Sequence, residues 1–427
     1  MGAGASATQR SDAKYLERNE TGQTSENSSV QEGSEEKTFD ENSLMAWPLR
    51  DESAKFQKDG AIESWDFNIW NVSSEELPAL CSAIILHYSI PTKLNIRYEK
   101  WLNLYNEVET SMSNPNNPYH NFVHLIDVMQ TCAAFLGDIG ASHLMNDTTT
   151  FALLLSAFVH DMGHPGLNNT YQVNAETKLA VLYNDISVLE NHHCALAFDM
   201  FKKSSTNVFE DMAVASRKSV RKTMIELILS TDMSIHFALA DQLNECVTRI
   251  FVPLRSSHAM ETVVLQERDR VTILRALLHA ADISNPAKQW ETSKRWSDLV
   301  VQEFFEQGDR EKSEGLPVSL NMDRTTSNQD EISVNFSDFI VAPFFLTLLN
   351  ALPRCVTPVQ HIVTNRKKWH DMVVSRIGSS ALDDAQKEEQ KAKWIKKDAD
   401  FSAKAQQHLD AARSKLLASG VVLPAPV

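Results

Sequence analysis

The sequence predicts an all-α fold, a compact bundle of many helices, and three observations support that class. Apolar residues recur with helical spacing from about Trp65 to Ile377, and the stretches from Phe151 to His160 and from Val271 to Ala281 are apolar enough to be helices buried on most sides. We find no convincing run of alternating strand residues and no internal repeat. The 427 residues are 43% hydrophobic with only 13 Gly and 14 Pro, which is enough apolar surface for a large core.

The net charge restricts the class of partner. With 41 Lys and Arg against 56 Asp and Glu, the formal charge is −15, which argues against nucleic-acid binding because such affinity depends on clustered basic residues. A small anionic substrate remains compatible, since a bound metal ion supplies positive charge locally. The cysteines lie far apart without a CxxC pair, which predicts free thiols and a cytoplasmic location.

Residues 1–62 are predicted to be a disordered acidic segment. They are rich in Ser, Glu, Asn, Gln and Thr, and from Glu20 to Glu41 only one base, Lys37, stands among many acids. The start Met-Gly-Ala-Gly-Ala-Ser fits the myristoylation pattern at Gly2, and a flexible Gly-rich start explains it equally well. A single acyl chain without a strong second signal gives at most weak peripheral membrane contact through Gly2.

Residues 63–378 are predicted to be the folded domain, and residues 379–427 a charged C-terminal helix and tail. The apolar residues of this helix fall on one stripe: Trp394, Phe401, Ala405, Leu409, Ala412 and Leu416. The stripe favours a helix that packs back on its own domain, and it also fits a homodimer or a partner helix. The two most apolar stretches, Phe151–Val159 and Phe339–Leu352, are too short to span a bilayer.

Three separated segments carry side chains that a divalent metal ion prefers: Tyr119–Asp127, His160–His164 and His279–Pro286. In each of the first two, a pair of histidines four residues apart shares one helix face. The third places an acid, Asp282, at the end of a very apolar helix. Each segment alone has an ordinary explanation in packing, surface chemistry or helix capping. Together, imidazoles and carboxylates make a mixed N/O site suited to zinc, with one carboxylate able to bridge to a second, magnesium-like ion.

These motifs, together with others in the same order, resemble those of the class I 3′,5′-cyclic-nucleotide phosphodiesterases, a branch of the HD-type metal phosphohydrolases. The resemblance extends over roughly residues 65–375. Its motifs are Tyr119-His120-Asn121-x-x-His124-x-x-Asp127, His160-Asp161-x-x-His164, Glu190-Asn191-His192-His193, Thr231-Asp232-Met233-Ser234, His279-Ala280-Ala281-Asp282-Ile283-Ser284-Asn285-Pro286 and Glu303-Phe304-Phe305-x-Gln307-Gly308-Asp309. The resemblance implies that the folded domain is a phosphodiesterase catalytic domain with a two-metal site in a deep pocket.

The resemblance implies hydrolysis of a 3′,5′-cyclic nucleotide, cAMP or cGMP or both, to the 5′-monophosphate by a metal-bridged hydroxide. The first metal ion, Zn²⁺, would be held by His124, His160, Asp161 and Asp282. Asp161 would also bridge to a second ion, Mg²⁺ or Mn²⁺. His120 would be the general acid that protonates the departing 3′ oxygen. His164 and Glu190 would orient the waters and the hydroxide, and Glu190 would orient His120 as well.

For the base, the resemblance implies a pocket that clamps a purine between aliphatic and aromatic side chains. The matching positions are Val300, Phe304 and Phe336 for the clamp, with Tyr119 and Asn285 near the nucleotide. The same residues also fit ordinary core packing. The family usually has a glutamine three residues before the clamp phenylalanine, where this chain has Ser333, which offers one hydroxyl instead of an amide. Asn335 lies on the wrong face of a regular helix to replace it, so the choice between cAMP and cGMP stays open.

Other polar residues of these motifs have structural explanations. We expect at least two of three histidines to be core residues: His192, His193 and His279. Asp127 is expected to brace its helix, and Thr231 and Asp232 to join the hydrogen-bond network around the site. Two other functions stay open: a catalytically impaired relative that binds cyclic nucleotide, and an HD-type phosphohydrolase of another nucleotide. The presence of every expected ligand and of the general acid disfavours the first.

Overall fold

A computed structural model describes residues 50–254 and 265–418, and its regular structure in these ranges is helical, without strands. The first part contains α1 (Arg50–Gln57), α2 (Leu77–His87), α3 (Ile90–Leu94), α4 (Tyr98–Ser111), α5 (Phe122–Leu136), α6 (Asp147–Val159), α7 (Asn169–Asn174), α8 (Lys178–Tyr183), α9 (Val188–Met200) and α10 (Val214–Ile228). The predicted all-α class is therefore confirmed.

The second part contains α11 (His236–Leu254), α12 (Glu267–Asp282), α13 (Trp290–Ser313), α14 (Gln329–Phe336), α15 (Ala342–Ala351), α16 (Val356–Ser379) and α17 (Asp384–Ala418). A π-helical turn, Ser337–Val341, joins α14 to α15. Short 3₁₀ turns lie at Lys58–Glu63, Ile69–Asn71, Ser74–Glu76, Ala141–Leu144, Leu229–Thr231, Met233–Ile235, Asn285–Ala287 and Pro353–Cys355.

Helices α5, α6 and α12 lie at the centre of the core. Every residue from Phe151 to Val159 is buried, as are almost all residues of α5. These two helices pack on each other, and α12 packs on both. The buried helices that the apolar stretches predict in α6 and α12 are confirmed, because helices surrounded by neighbours bury apolar side chains all round.

The ends of these three helices carry the residues of the predicted metal site. Helix α5 begins after Asn121, whose side-chain oxygen accepts hydrogen bonds from the backbone N–H groups of Val123 and His124 (3.0 and 3.3 Å). Helix α6 ends directly before His160, and α12 ends at Asp282. Placing polar side chains at helix ends leaves the buried helix sides apolar, so the core and the site do not compete for the same positions.

Helical structure begins earlier than predicted. Helix α1 and all but the last residue of the 3₁₀ turn after it lie within residues 1–62, the segment expected to be disordered. Phe56 and Ile62 are buried there, and the Ser53 hydroxyl donates to the carbonyl oxygen of Ala79 (3.2 Å). These apolar side chains pack against the domain although the local composition is polar. Residues 1–49, including Gly2 and the acidic run, lie outside the described residues.

The C-terminal helix packs on its own domain, as the first interpretation of its stripe predicts. Ala405, Leu409, Ala412 and Leu416 are buried against α15 and α16. The described residues form one compact unit, so α17 is not separate from the helices before it. A homodimer stays a prediction.

The apolar stretch at the end of α14 and in α15 is longer than the sequence suggested. The helical run Gln329–Ala351 has 23 residues, and its most apolar 18-residue window has a mean hydropathy of 1.7, so by length and composition alone it is able to cross a membrane. In the structure, 61% of its most apolar window is buried, against α11, α16 and α17. We interpret this run as a core helix, because its apolar side chains already have partners within the protein.

Candidate active site

The four predicted ligands of the first metal ion come together in one cluster. Each offers an atom within 4.8 Å of those of the others: His124, His160, Asp161 and Asp282. The Nε2 atoms of both histidines lie near the same Asp282 Oδ1, at 3.1 and 3.3 Å. They also lie 3.6 and 3.4 Å from Asp161 Oδ2. Two imidazole nitrogens and two carboxylate oxygens therefore face one point.

The protonation of His160 is fixed by its backbone contact. Its Nδ1 lies 2.9 Å from the carbonyl oxygen of Ala157, which only accepts, so Nδ1 carries a proton. That arrangement leaves Nε2 to face Asp161 and Asp282, which is how a metal-ligating histidine is usually oriented. The other histidine, His124, is fully buried and its Nδ1 has no hydrogen-bond partner in the described part of the chain.

The charges of this cluster show that a cation fits it. Burial alone raises the pKa of Asp161 and Asp282, but the adjacent histidines outweigh it and hold both below the usual range. Conversely, burial lowers the pKa of His160, and the two carboxylates outweigh this and raise it to about 9. In the protein without metal, a proton compensates the buried carboxylates. A divalent cation would replace that proton on binding, and the donor set suits Zn²⁺.

His120 does not join the cluster but pairs with a residue that the sequence analysis missed, Glu303 on α13. Its Nδ1 contacts Glu303 Oε1, and Glu303 Oε2 accepts the backbone N–H groups of Tyr119 and His120 (3.0 and 3.1 Å). Burial disfavours the charged form of His120 and of Glu303, but the attraction between the two charges is stronger and keeps both groups charged. It raises the pKa of His120 to about 9 and lowers that of Glu303 to about 2.

Glu190 does not contact His120, contrary to the role expected for it. Its two carboxylate oxygens accept from Asn169 Nδ2 (3.1 and 2.9 Å). Burial, followed by repulsion from Asp232, raises its pKa to about 7. The family resemblance includes the motif that begins at Glu303, but it implied no role for that first residue. Its role becomes visible only in the structure, where the acid is buried in the middle of α13.

His164 lies against His120, with ring centroids 3.9 Å apart. The backbone N–H of Gly166 donates to His164 Nδ1 (3.0 Å), so in the neutral ring Nε2 carries the proton. Burial, followed by repulsion from His120, holds the pKa of His164 well below its usual value, so the ring is neutral. His120, His164 and Glu303 lie close enough to hold a metal ion. We interpret His120 and His164 as proton donors and Glu303 as the group that orients His120. His164 Nδ1 already accepts a hydrogen bond from Gly166, and Glu303 already contacts His120.

Asn117 ties the two histidine segments together. Its Nδ2 donates to the carbonyl oxygens of His164 (2.6 Å) and His120 (3.1 Å), and the side chain is buried. The sequence analysis assigned this residue no role. The contact explains how His120, which precedes α5, keeps a fixed distance from a residue beyond α6.

The positions predicted for the nucleotide lie on four segments of the chain. Asn285 Nδ2 donates to the hydroxyl of Tyr119 (2.5 Å), and the Tyr119 ring lies 4.8 Å from those of His120 and His124. These two predicted residues are therefore together beside the site. The clamp positions, on α13 and α14, are half-buried: Val300, Phe304 and Phe336.

Ser333 faces α13, one turn before Phe336 on α14. Its hydroxyl lies 3.0 Å from that of Ser297, which is one turn before Val300, and Ser297 accepts from Gln329 Nε2 (3.1 Å). Asn335 instead accepts a hydrogen bond from Lys397 of α17 (2.9 Å). Asn335 therefore points away from the Ser333 face, as the helical spacing predicts.

The remaining motif residues take structural positions. His193 and His279 are buried, hydrogen-bonded to Met162 O (2.7 Å) and to His236 (2.8 Å), and burial lowers the pKa of each to about 4. The expectation of core histidines is confirmed for these two. Asp127 lies 4.0 Å from the buried ammonium of Lys288 and outside the metal cluster.

Comparison with known proteins shows which family the chain resembles. Residues 119–362 match the model of the 3′5′-cyclic nucleotide phosphodiesterase family. The chain is 34% identical over 326 residues to the 3′,5′-cyclic-nucleotide phosphodiesterase regA of Dictyostelium discoideum, covering 76% of this chain and 40% of that protein. It is 36% identical over 278 residues to the mouse high affinity cGMP-specific 3′,5′-cyclic phosphodiesterase 9A, covering 65% and 48%. The chain thus spans about half or less of the length of these relatives.

Among solved structures, the phosphodiesterase domain of the RhoPDE fusion protein from the choanoflagellate Salpingoeca rosetta superposes with a TM-score of 0.69 at 30% identity. That match covers 76% of this chain and 99% of the other. The family match includes the metal cluster, the His120–Glu303 pair and the positions on α13 and α14. The chain belongs to the 3′,5′-cyclic nucleotide phosphodiesterase family.

Proposed function

We propose that this protein hydrolyses a 3′,5′-cyclic nucleotide, cAMP or cGMP, to the 5′-monophosphate. The observation that carries the proposal is the juxtaposition of two devices: a four-residue cluster suited to a divalent cation, and a protonated histidine held beside it by Glu303. A phosphodiester needs positive charge at the phosphate and a proton for the leaving oxygen, and these two devices supply both. The substrates in the names of the relatives agree with this chemistry.

The first metal ion, Zn²⁺, would be held by His124, His160, Asp161 and Asp282. Asp161 also suits a bridging role, because Oδ2 faces the two histidines while Oδ1 lies on the side of His193, at 3.7 Å from its Nε2. A second ion, Mg²⁺ or Mn²⁺, would share that carboxylate. Bound ions would supply positive charge to the phosphate and increase the acidity of water.

The protein's own groups manage the protons. Glu303 keeps His120 protonated and oriented, so its free Nε2–H is available to protonate the departing 3′ oxygen. His164, held neutral with its proton on Nε2, donates a hydrogen bond toward the reacting water. Glu190, whose pKa lies near 7, supports the water network from the α9 side. Val300, Phe304 and Phe336 would enclose the base.

Replacing Asp282 by Asn should empty the first metal site. The change keeps the size of the side chain but removes the charge that both histidines face. We therefore expect loss of tightly bound metal and a fall in turnover of at least about a hundredfold. Elemental analysis and an assay of 5′-monophosphate measure the two effects. The matched control is Asp127→Asn, a buried acid outside the cluster, which should retain metal. Wild-type metal content in Asp282→Asn would show that the ligand assignment is wrong.

Replacing Glu303 by Gln should change the pH dependence of catalysis. The amide oxygen still accepts the backbone N–H groups, but the charge that raises the pKa of His120 is gone. A general acid works only while protonated, so activity falls as pH rises through its pKa, and the alkaline limb of the kcat/KM profile should move at least about one unit lower. Glu306→Gln, at an exposed position on the same helix, is the control. Identical profiles for the two variants would contradict the role of Glu303.

Replacing Ser333 by Gln should change nucleotide preference. The longer amide reaches further than the hydroxyl that now contacts Ser297, and it presents both a donor and an acceptor to a purine edge. We expect the ratio of kcat/KM for cAMP to that for cGMP to change by about fivefold, the value of one hydrogen bond. Ser333→Ala separates loss of the hydroxyl from gain of the amide. An unchanged ratio in Ser333→Gln would mean that this position does not face the base.

A further inference from the structure

The clamp residue Phe336 lies at a junction between two kinds of helix. It is the last residue of α14, and the π-helical turn Ser337–Val341 follows directly. Such turns interrupt the regular hydrogen-bond pattern and are frequent at functional sites. The Ser337 hydroxyl donates to the carbonyl oxygen of Ser333 (2.9 Å). This hydrogen bond joins two residues of the same helical run and does not connect the junction to another helix. The direction of the Phe336 ring therefore depends on the contacts that hold the two sides of this junction.

Helix α17 contacts both sides through one side chain. Lys397 Nζ donates to Asn335 Oδ1 (2.9 Å) and lies 3.1 Å from Asp338 Oδ2. Asn335 comes immediately before Phe336, and Asp338 follows two residues after it. One ammonium group thus spans the junction. The side chain of Asp338 is only 8% exposed and that of Lys397 is 33% exposed, so this ion pair is partly shielded from water and weakened less by salt than a surface pair.

A buried guanidinium joins the same junction to α17 a second time. Arg366 on α16 is fully buried, and it donates from Nε to Asp338 Oδ1 and from Nη1 to Asp398 Oδ1, both at 2.5 Å. The ring of Phe401 lies 4.3 Å from the guanidinium carbon. A buried arginine is stable only with its carboxylates in place. Asp338 in the junction and Asp398 in α17 are therefore both bound by the guanidinium of Arg366.

The contacts from α17 come from a part of the chain outside the matched family region, which ends at residue 362. Lys397, Asp398 and Phe401 all lie on one face of this helix, four residues apart or fewer. The apolar stripe on the same helix fastens it to α15 and α16 by burying residues from Ala405 to Leu416. Helix α17 is thus fixed to the domain at its C-terminal half and presents charged groups to the junction from its middle.

We propose that Lys397 and Asp398 are positioning residues that hold Phe336 in the orientation that encloses the base, so that affinity for the cyclic nucleotide depends on α17. The proposal rests on the proposed function, because it takes Phe336 as part of the base pocket. The polar partners of these two residues are on α14, on the π-helical turn and on α16, and they do not include a residue of the metal cluster or His120. Loss of these contacts therefore raises KM while leaving kcat close to its normal value.

The test uses three variants of the full chain. Lys397→Met keeps the aliphatic stem and removes the charge and the donors, whereas Lys397→Arg keeps both. The matched control is Lys393→Met, one turn earlier on α17, where the lysine pairs with Glu389 and both side chains are largely exposed. For each protein, kcat and KM are measured with cAMP and with cGMP. Hydrogen exchange of the backbone over residues 329–341 is measured in parallel, as a readout that does not need activity.

We expect Lys397→Met to raise KM about three- to tenfold with kcat within about twofold, and to accelerate exchange at residues 329–341. Lys397→Arg should restore KM, and Lys393→Met should match the wild type. The proposal is overturned if Lys397→Met and Lys393→Met have the same KM and exchange, or if kcat falls while KM stays constant. If no protein hydrolyses either nucleotide, the proposed function fails. In that case faster exchange in Lys397→Met alone supports the positioning contact, and unchanged exchange overturns it.

Discussion

The placement of two carboxylates, the buried Asp161 and the largely buried Asp282, against two imidazoles is the constraint on which the rest of the structure depends. Like charges placed this close inside a protein are strongly unfavourable unless cations compensate them. Three core helices therefore end at this point, and their ends present His124, His160 and Asp282 while their sides stay apolar. The same demand for positive charge makes the cluster a site for divalent cations, so the stability of the core and the chemistry of the site have one electrostatic origin.

Helix α13 connects this cluster to the rest of the pocket. Its Glu303 holds His120 and the backbone before α5, while Val300 and Phe304 on the same helix occupy positions expected to contact the base. Ser297, one turn earlier, contacts Ser333 on α14. A displacement of α13 would thus disturb proton donation and base binding together. The salt bridges from α17 extend this arrangement to the far side of α14.

Sequence reasoning identified what is local and missed what is distant. The segments that carry His124, His160 and Asp282 were found because polar residues adjoin the ends of very apolar stretches, and the choice of these residues as ligands came from the family resemblance. The helical spacing expected for the two histidine pairs was wrong, since His120 precedes α5 and both His160 and His164 follow α6. Glu303 was missed because its partner is 183 residues away, and no local pattern records such a contact. The early start of helical structure was missed because Phe56 and Ile62 pack on residues distant from their polar neighbours. Asp338, Arg366 and Asp398 form a buried charge network that appears in the sequence only as ordinary surface charges.

The central claim is that the buried cluster binds metal and that the bound metal is needed for hydrolysis of a cyclic nucleotide. The most direct test is turnover of cAMP and cGMP side by side, on the same protein before metal removal, after chelation and after return of Zn²⁺ and Mg²⁺. The account predicts release of 5′-monophosphate that is lost on chelation and recovered with metal. No turnover of either nucleotide by protein that holds its metal ions would contradict it, and would favour a relative that binds the nucleotide without hydrolysing it.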